Sequence, residues 1–386
     1  MLRGRTERNE MGENSGTGFI AGLEDVVAVE TRLSRVEGEA GELTIAEFPV
    51  EELAGRASFE EVVYLLWNDE LPDGGRLEDF RGELAGRRGV PRATMGLLRS
   101  AAEEGLPVMD ALRMAAGSLR TGGDEEEALS LVSSLPTIVA AYWRMLGGEE
   151  PVAPDPGLGH AANYLYMLTG EVPGAEFVRA LDTYLGAVSD HGMNASTFVA
   201  RVIVSTRSDF VSAAVGAIGA LKGPLHGGAP GPALDVVFEI GESSRAEPYL
   251  REKLARGERL MGFGHRIYRV RDPRADVLAE AAERLYTTDG DRELYALALD
   301  VEKTALRLLA EHKPGRNLQT NVEFYTALLL HGLRLPTEVF TPTFAVGRMA
   351  GWTAHCFEQR ELDRLIRPQS EYVGGLDRRW VPLEKR

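Results

Sequence analysis

Apolar and polar residues alternate from Val26 to Ile45. Val27, Val29, Thr31 and Leu33 fall on one face and Ala28, Glu30, Arg32 and Ser34 on the other, ahead of Gly38-Glu39-Ala40-Gly41 and a second short run. A period of two around a glycine-bounded turn predicts a β-hairpin. Beyond it the period becomes helical. Ser58 with Glu61 three residues on is a capping-box signature, and Phe59, Val62, Val63, Leu66 and Trp67 then follow at i, i+3, i+4, i+7 and i+8. Pro72 and Gly74-Gly75 stop that helix. Further helices are predicted at about 75–88, 92–104, 107–120, 124–147, 158–170, 174–188, 195–207 and 209–221, with 149–157 the clearest loop. Gly and Pro then concentrate in 222–232 and around Gly262, Gly264 and Pro273, and helical pattern resumes at 233–256, 274–286, 291–311, 322–332 and 343–360. The predicted class is mostly α with a small β element near the N-terminus. The best apolar run, Phe210 to Leu221, is too short for a membrane span and is broken by Ser212 and two glycines.

The length of 386 residues suggests two domains, or one large and one small. With 43 Lys+Arg against 59 Asp+Glu, the net charge of −16 repels phosphate backbones and anionic membranes, so neither nucleic acid nor a membrane is an expected partner. Cys356 alone can form neither an internal disulfide nor a thiolate zinc site, which points to a reducing, cytoplasmic setting. Apart from Lys222, Lys253, Lys303, Lys313 and Lys385, every basic residue is arginine, whose planar fork binds carboxylates bidentately. Residues 1–17 are polar and Gly-rich without the apolar core of a signal peptide; they read as a disordered lead-in, with Met11 an alternative start.

Motifs for nucleotide hydrolysis, dinucleotide redox chemistry, zinc proteolysis and serine hydrolysis are missing. The histidines remain. His160, His312, His331 and His355 read as surface or satisfied core residues. Three others keep unusual company: Asp190-His191-Gly192-Met193-Asn194-Ala195-Ser196-Thr197, Gly223-Pro224-Leu225-His226-Gly227-Gly228 and Gly262-Phe263-Gly264-His265-Arg266. Glycines beside an imidazole let backbone amides approach a ligand closely.

These blocks, with Asp272-Pro273-Arg274-Ala275 and Leu365-Ile366-Arg367-Pro368 in the same order, resemble the citrate synthase family from about Gly22 to the C-terminus. The resemblance implies a helical homodimer with a large domain, here 18–225 and 335–386, and a small inserted domain, 226–334, that closes over the substrates. It implies condensation of acetyl-CoA with oxaloacetate and water to citrate and CoA, with no cofactor and no metal. By position it assigns His226 to the thioester oxygen, His265 to the oxaloacetate carbonyl, and Glu323 to the base. His191, Arg274, Arg348 and Arg367 are assigned to oxaloacetate, Arg367 reaching across the dimer. Arg259, Leu260, Met261, Gly262 and Phe263 match the CoA-contacting loop.

Some positions depart from the family. Its base is an aspartate in Asn-Val-Asp-Phe-Tyr, and this chain has Asn321-Val322-Glu323-Phe324-Tyr325. One added methylene displaces the carboxylate unless the backbone retreats. Ile45-Ala46-Glu47-Phe48 and Gln319-Thr320 also differ, and Gln369 stands where many bacterial members place a basic residue. Propionyl-CoA with 2-methylcitrate synthase chemistry remains an alternative, since one methylene discriminates by only about 1–3 kcal/mol. A citryl-CoA lyase module and a non-catalytic homologue are weaker readings. The short chain resembles the simple dimeric type more than the larger allosteric hexamers.

Overall fold

The computed structural model describes residues 20–386 apart from Thr121, Gly228, Ala229 and Arg266, so the expected lead-in and Met11 lie outside the described residues. Two units are distinguished, the terminal segments 20–31 with 367–386, and a body from Arg32 to Ile366. The terminal unit has short 3-10 turns at Ala21–Leu23 and Leu383–Lys385 and exposes Val27, Val373, Leu376 and Trp380.

The body opens with an antiparallel sheet of β1 (Ser34–Glu37), β2 (Glu42–Ile45) and β3 (Phe48–Pro49), in register Ser34↔Ile45 and Ile45↔Phe48. The hairpin starts eight residues later than the alternation suggests. β2 ends at Ile45 opposite Ser34, and among the described residues no strand is formed over 26–33, although Ala46 N still donates to Leu33 O at 2.8 Å; alternation alone does not make a strand. The chain turns into β3 through Ala46 and Glu47, both in left-handed conformation with φ of 42° and 71°.

Helices follow as α1 (Val50–Leu53), α2 (Phe59–Asn68), α3 (Gly74–Gly86), α4 (Arg92–Glu103), α5 (Val108–Ala116), α6 (Asp124–Leu146), α7 (His160–Thr169) and α8 (Ala175–Val188). Next come α9 (Ala195–Ser205), α10 (Phe210–Leu221), α11 (Pro230–Ile240), α12 (Ser243–Ala255), α13 (Pro273–Glu283), α14 (Asp289–His312), α15 (Val322–Gly332) and α16 (Phe340–Leu362). Both halves of the α2 capping box form: Glu61 N donates to Ser58 Oγ at 3.4 Å, and Ser58 N to Glu61 Oε2 at 2.8 Å. Where one helix is expected over 233–256 there are two, because Gly241 takes φ +71° between α11 and α12.

By length and composition α6 could cross a membrane, which the emphasis on Phe210–Leu221 overlooked. Its residues from Leu131 to Tyr142 are instead buried, so it is a core helix that packs against α4, α5, α7 and α16. Helix α16 in turn packs on α8, α9 and α10. Two glycines let it approach the end of α8. Gly351 N donates to Ser189 O at 3.1 Å, and a Cβ there would collide with that oxygen and lie 2.7 Å from Asp190 Oδ1; at Gly347 it would lie 2.7 Å from Val188 Cγ2. Such overpacking costs about 1–3 kcal/mol. Gly351→Ala should therefore lower the unfolding free energy measured by urea titration by an amount in that range, and an unchanged value would show that α16 does not need this approach.

Candidate active site

Helix α9 begins at the motif that carries the first histidine. Asn194 caps it, its Oδ1 accepting from Thr197 N at 3.1 Å, and this places Asp190 and His191 between α8 and α9. Ser34 Oγ donates to Asp190 Oδ2 at 2.5 Å and accepts from Gly192 N at 2.7 Å, tying the motif to β1. His355 Nε2 bonds Asp190 Oδ2 from α16 at 3.3 Å. His355 is thus a satisfied core residue, as expected; His160 is buried too, but its Nε2 has no partner among the described residues.

His191 is buried, with Nε2 3.2 Å from Tyr268 Oη. His265 stands edge-on to it, ring centroids 5.8 Å apart, and lies 4.8 Å from the Tyr268 ring. The proton on His265 is placed by the backbone. Ile267 N and Tyr268 N both donate to Nδ1 at 3.0 Å, so a neutral ring carries its hydrogen on Nε2 and can donate there. Burial, reinforced by the Arg274 guanidinium, pulls its pKa down to about 4. His191 falls well below its ordinary value through burial and then the charges of Arg274 and Arg348.

His226 sits in a turn that follows α10, closed by His226 N to Gly223 O at 2.9 Å and anchored to α16 by Thr341 Oγ1 donating to Gly227 O at 2.8 Å. Its Nε2 is 2.8 Å from Ser196 Oγ, which also accepts from Trp352 Nε1 at 3.0 Å and lies 2.8 Å from Asn194 Oδ1. The serine has one proton for two acceptors. In this arrangement it goes to Asn194 Oδ1; turned to His226 Nε2 instead, it leaves the neutral ring's hydrogen on Nδ1, able to donate. Burial and then Arg348 lower the His226 pKa to about 4, so the ring is neutral at physiological pH.

Two arginines are buried here in different states. Arg274 forks onto Asp272, Nε to Oδ1 at 3.0 Å and Nη2 to Oδ2 at 2.7 Å. Arg348 donates Nε to Val188 O at 2.6 Å and lies 4.8 Å above the Phe344 ring, but has no carboxylate partner among the described residues. Burial depresses its pKa to about 10, partly offset by Asp190 and reinforced by Arg274. A buried cation without a counter-ion is costly. Here it is a ready receptor for an anion.

Glu323 is in the first turn of α15. Asn321 caps that helix, Oδ1 accepting from Glu323 N at 3.0 Å, while its Nδ2 donates to Gly264 O at 2.9 Å. The backbone pairs alongside: Gly264 N to Gln319 O at 2.7 Å, Asn321 N to Gly262 O at 3.0 Å, with Phe263 bridged to Thr320. Gly262 and Gly264 take φ of +86° and +82°, which glycine adopts without steric cost, and the pairing stitches the segment carrying His265 to the one carrying Glu323. Burial raises the Glu323 pKa to about 7; Arg274 and Asn321 pull it back and Asp272 adds to the rise.

Among the sequence-assigned residues, His191, His226, His265, Arg274, Arg348 and Glu323 are therefore linked by contact or electrostatic influence. Arg259 is exposed, Leu260 and Gly262 are buried, and Met261 and Phe263 are partly so. Part of the backbone beside Gly262 is spent on the pairing with 319–321. Arg367 is exposed in the terminal unit. The motifs alone give no role to Asp272 or Ser196, which stand inside them, or to Tyr268, two residues past Arg266; the closeness of Asp272 to Arg274 is the available signal. Among the described residues no three His, Cys, Asp or Glu side chains gather as a metal site.

The family pattern described as "Citrate synthase, C-terminal domain" matches residues 22–369. Citrate synthase 2 of Bacillus subtilis is 40% identical over 375 residues, spanning 95% of this chain and 98% of that protein. A 2-methylcitrate synthase of Mycobacterium tuberculosis is 41% identical over 362 residues, spanning 92% and 90%. The citrate synthase of Thermoplasma acidophilum, solved as a ternary complex with carboxymethyl coenzyme A and oxaloacetate, superposes with a TM-score of 0.86 at 29% identity, covering 95% of this chain and 98% of that one.

A small dicarboxylate held at a hundred times its Kd should stabilise the protein by about 2.7 kcal/mol. Thermal denaturation should show the shift, and Arg348→Gln should remove most of it at the same ligand concentration. An undiminished shift in that variant would mean the anion is held elsewhere.

Proposed function

The chain belongs to the citrate synthase family, enzymes that condense an acyl-CoA with oxaloacetate, and from that premise we propose how its residues divide the work of making citrate and CoA from acetyl-CoA, oxaloacetate and water. The observation that carries the reading is a pair of buried arginines, Arg274 forked onto Asp272 and Arg348 without a carboxylate partner among the described residues, whose charges bear on two neutral histidines and on a carboxyl group poised near neutrality.

Glu323, ionised above about pH 7, takes a proton from the methyl group of the thioester. An isolated carboxylate is too weak a base for that carbon acid, so the forming enol must be stabilised as it appears. His226 supplies a hydrogen bond from Nδ1 to the thioester oxygen. A neutral imidazole is the better donor for this purpose, its acidity lying closer to that of an enol than an imidazolium's does. The enol carbon attacks the oxaloacetate carbonyl, and His265 gives that oxygen its Nε2 hydrogen, which is restored through water from the proton that Glu323 took. Arg274, Arg348 and His191 hold the two carboxylates, with Arg367 added from a partner subunit. Water then cleaves the citryl thioester.

The same reading includes a cytoplasmic homodimer, CoA contacts from residues 259–263 and no cofactor. It is supported by the buried lone Cys356 and by the apolar side chains exposed in the terminal unit, a composition suited to a partner surface. It also includes a small domain, 226–334, carrying His226, His265, Arg274 and Glu323, that closes on residues of the remainder and excludes water. Propionyl-CoA is kept as the second acyl donor because the relatives include enzymes named for 2-methylcitrate.

Glu323→Gln should reduce turnover by at least about a hundredfold while oxaloacetate binding, measured calorimetrically, persists. Substantial residual turnover would remove Glu323 from the role. CoA release with acetyl-CoA should exceed that with propionyl-CoA at equal concentration; the reverse order would make 2-methylcitrate the product.

A further inference from the structure

We propose that Glu302 is a positioning residue for the base, fixing the backbone on both sides of Glu323 through three converging hydrogen bonds. The inference rests on the assignment of Glu323 made above. Glu302 lies on α14, outside every motif, and is 8% exposed. Its Oε1 accepts from Thr320 Oγ1 at 2.6 Å and from Arg271 Nη1 at 2.7 Å, and its Oε2 accepts from Tyr325 Oη at 2.6 Å.

Each donor belongs to a different part of the site. Thr320 precedes the α15 cap and is bridged to Phe263, two residues before His265. Tyr325 is two residues beyond Glu323 in the first turn of α15. Arg271 adjoins the Asp272–Arg274 pair, is anchored by Asp276 at 2.6 Å, and lies 5.4 Å over the Tyr325 ring. One buried carboxylate therefore joins the oxaloacetate-binding loop to the segment that presents the base. Bonds to a charged acceptor are the stronger kind, and a neutral replacement cannot satisfy all three donors equally.

The added methylene at position 323 gives the arrangement its purpose. A glutamate has one more rotatable bond than an aspartate, so its carboxylate samples more positions from a given backbone. A displacement of about 1 Å can cost on the order of a hundredfold in rate. Anchors at Thr320 and Tyr325 hold the backbone where the longer side chain meets the methyl group.

Steady-state kinetics of Glu302→Gln, Tyr325→Phe, Glu323→Gln and the Glu302→Gln/Glu323→Gln pair test this. Glu302→Gln should lower kcat by about tenfold or more with the KM for oxaloacetate within about twofold, and Tyr325→Phe should move kcat the same way by less. On the Glu323→Gln background, Glu302→Gln should add no further loss, which a general structural defect would not reproduce. If Glu302→Gln does not fold, Tyr325→Phe decides alone. Unchanged kcat in the folded single variants, with Glu323→Gln inactive, overturns the positioning role and leaves the base intact. A rise in oxaloacetate KM without a fall in kcat also overturns it. An active Glu323→Gln removes the base assignment and this inference together.

Discussion

Burial of two guanidiniums in one small region is the constraint on which the site depends. The chain carries a net charge of −16, yet Arg274 and Arg348 sit inside it, one forked onto Asp272 and the other without a carboxylate partner among the described residues. Desolvating a charge this way is unfavourable; Asp272 pairs one of the two, and Asp190 offsets the burial of the other only in part. Each neighbour feels the result. The histidines stay neutral because burial and the two cations both oppose protonation, and Glu323 settles near neutrality because burial outweighs the pull of Arg274. An anionic substrate completes the balance.

The scaffold maintains this arrangement by close approach and by pairing. Glycines at 347 and 351 bring α16, with Arg348, onto the end of α8, while His355 and Ser34 fasten Asp190 beside His191. The short pairing of 262–264 with 319–321 couples the segments of His265 and Glu323. An acidic exterior around an arginine-lined interior also means that attraction of anionic substrates is local to the site.

Local signals in the sequence were read well because their causes are local. The Ser58–Glu61 box, the Asn321 cap and the glycine and proline breaks act within a few residues, so most helices lie where periodicity put them. Failures came where a distant partner decides. Residues 26–33 alternate like a strand but form none among the described residues, and α6 looks more apolar than a surface helix because other helices surround it. His191, His226, His265, Arg274 and Arg348, which the fold links, were legible from their motifs. Asp272, Ser196 and Glu302 were not, since a carboxylate or hydroxyl reveals its role only through the groups that the fold brings to it, 18 and 23 residues away for Glu302 with Thr320 and Tyr325.

The central claim is that this buried charge pattern fixes the protonation states, and the pH dependence of kcat/KM for acetyl-CoA tests it most directly. The raised carboxyl pKa of Glu323 leaves it protonated below about 7 and so unable to act as the proposed base, whereas His226 and His265 remain neutral down to about 4. The profile should therefore fall with one proton as pH drops through about 7. A rate that stays level through that range and down toward the ordinary range of a glutamate would contradict the account.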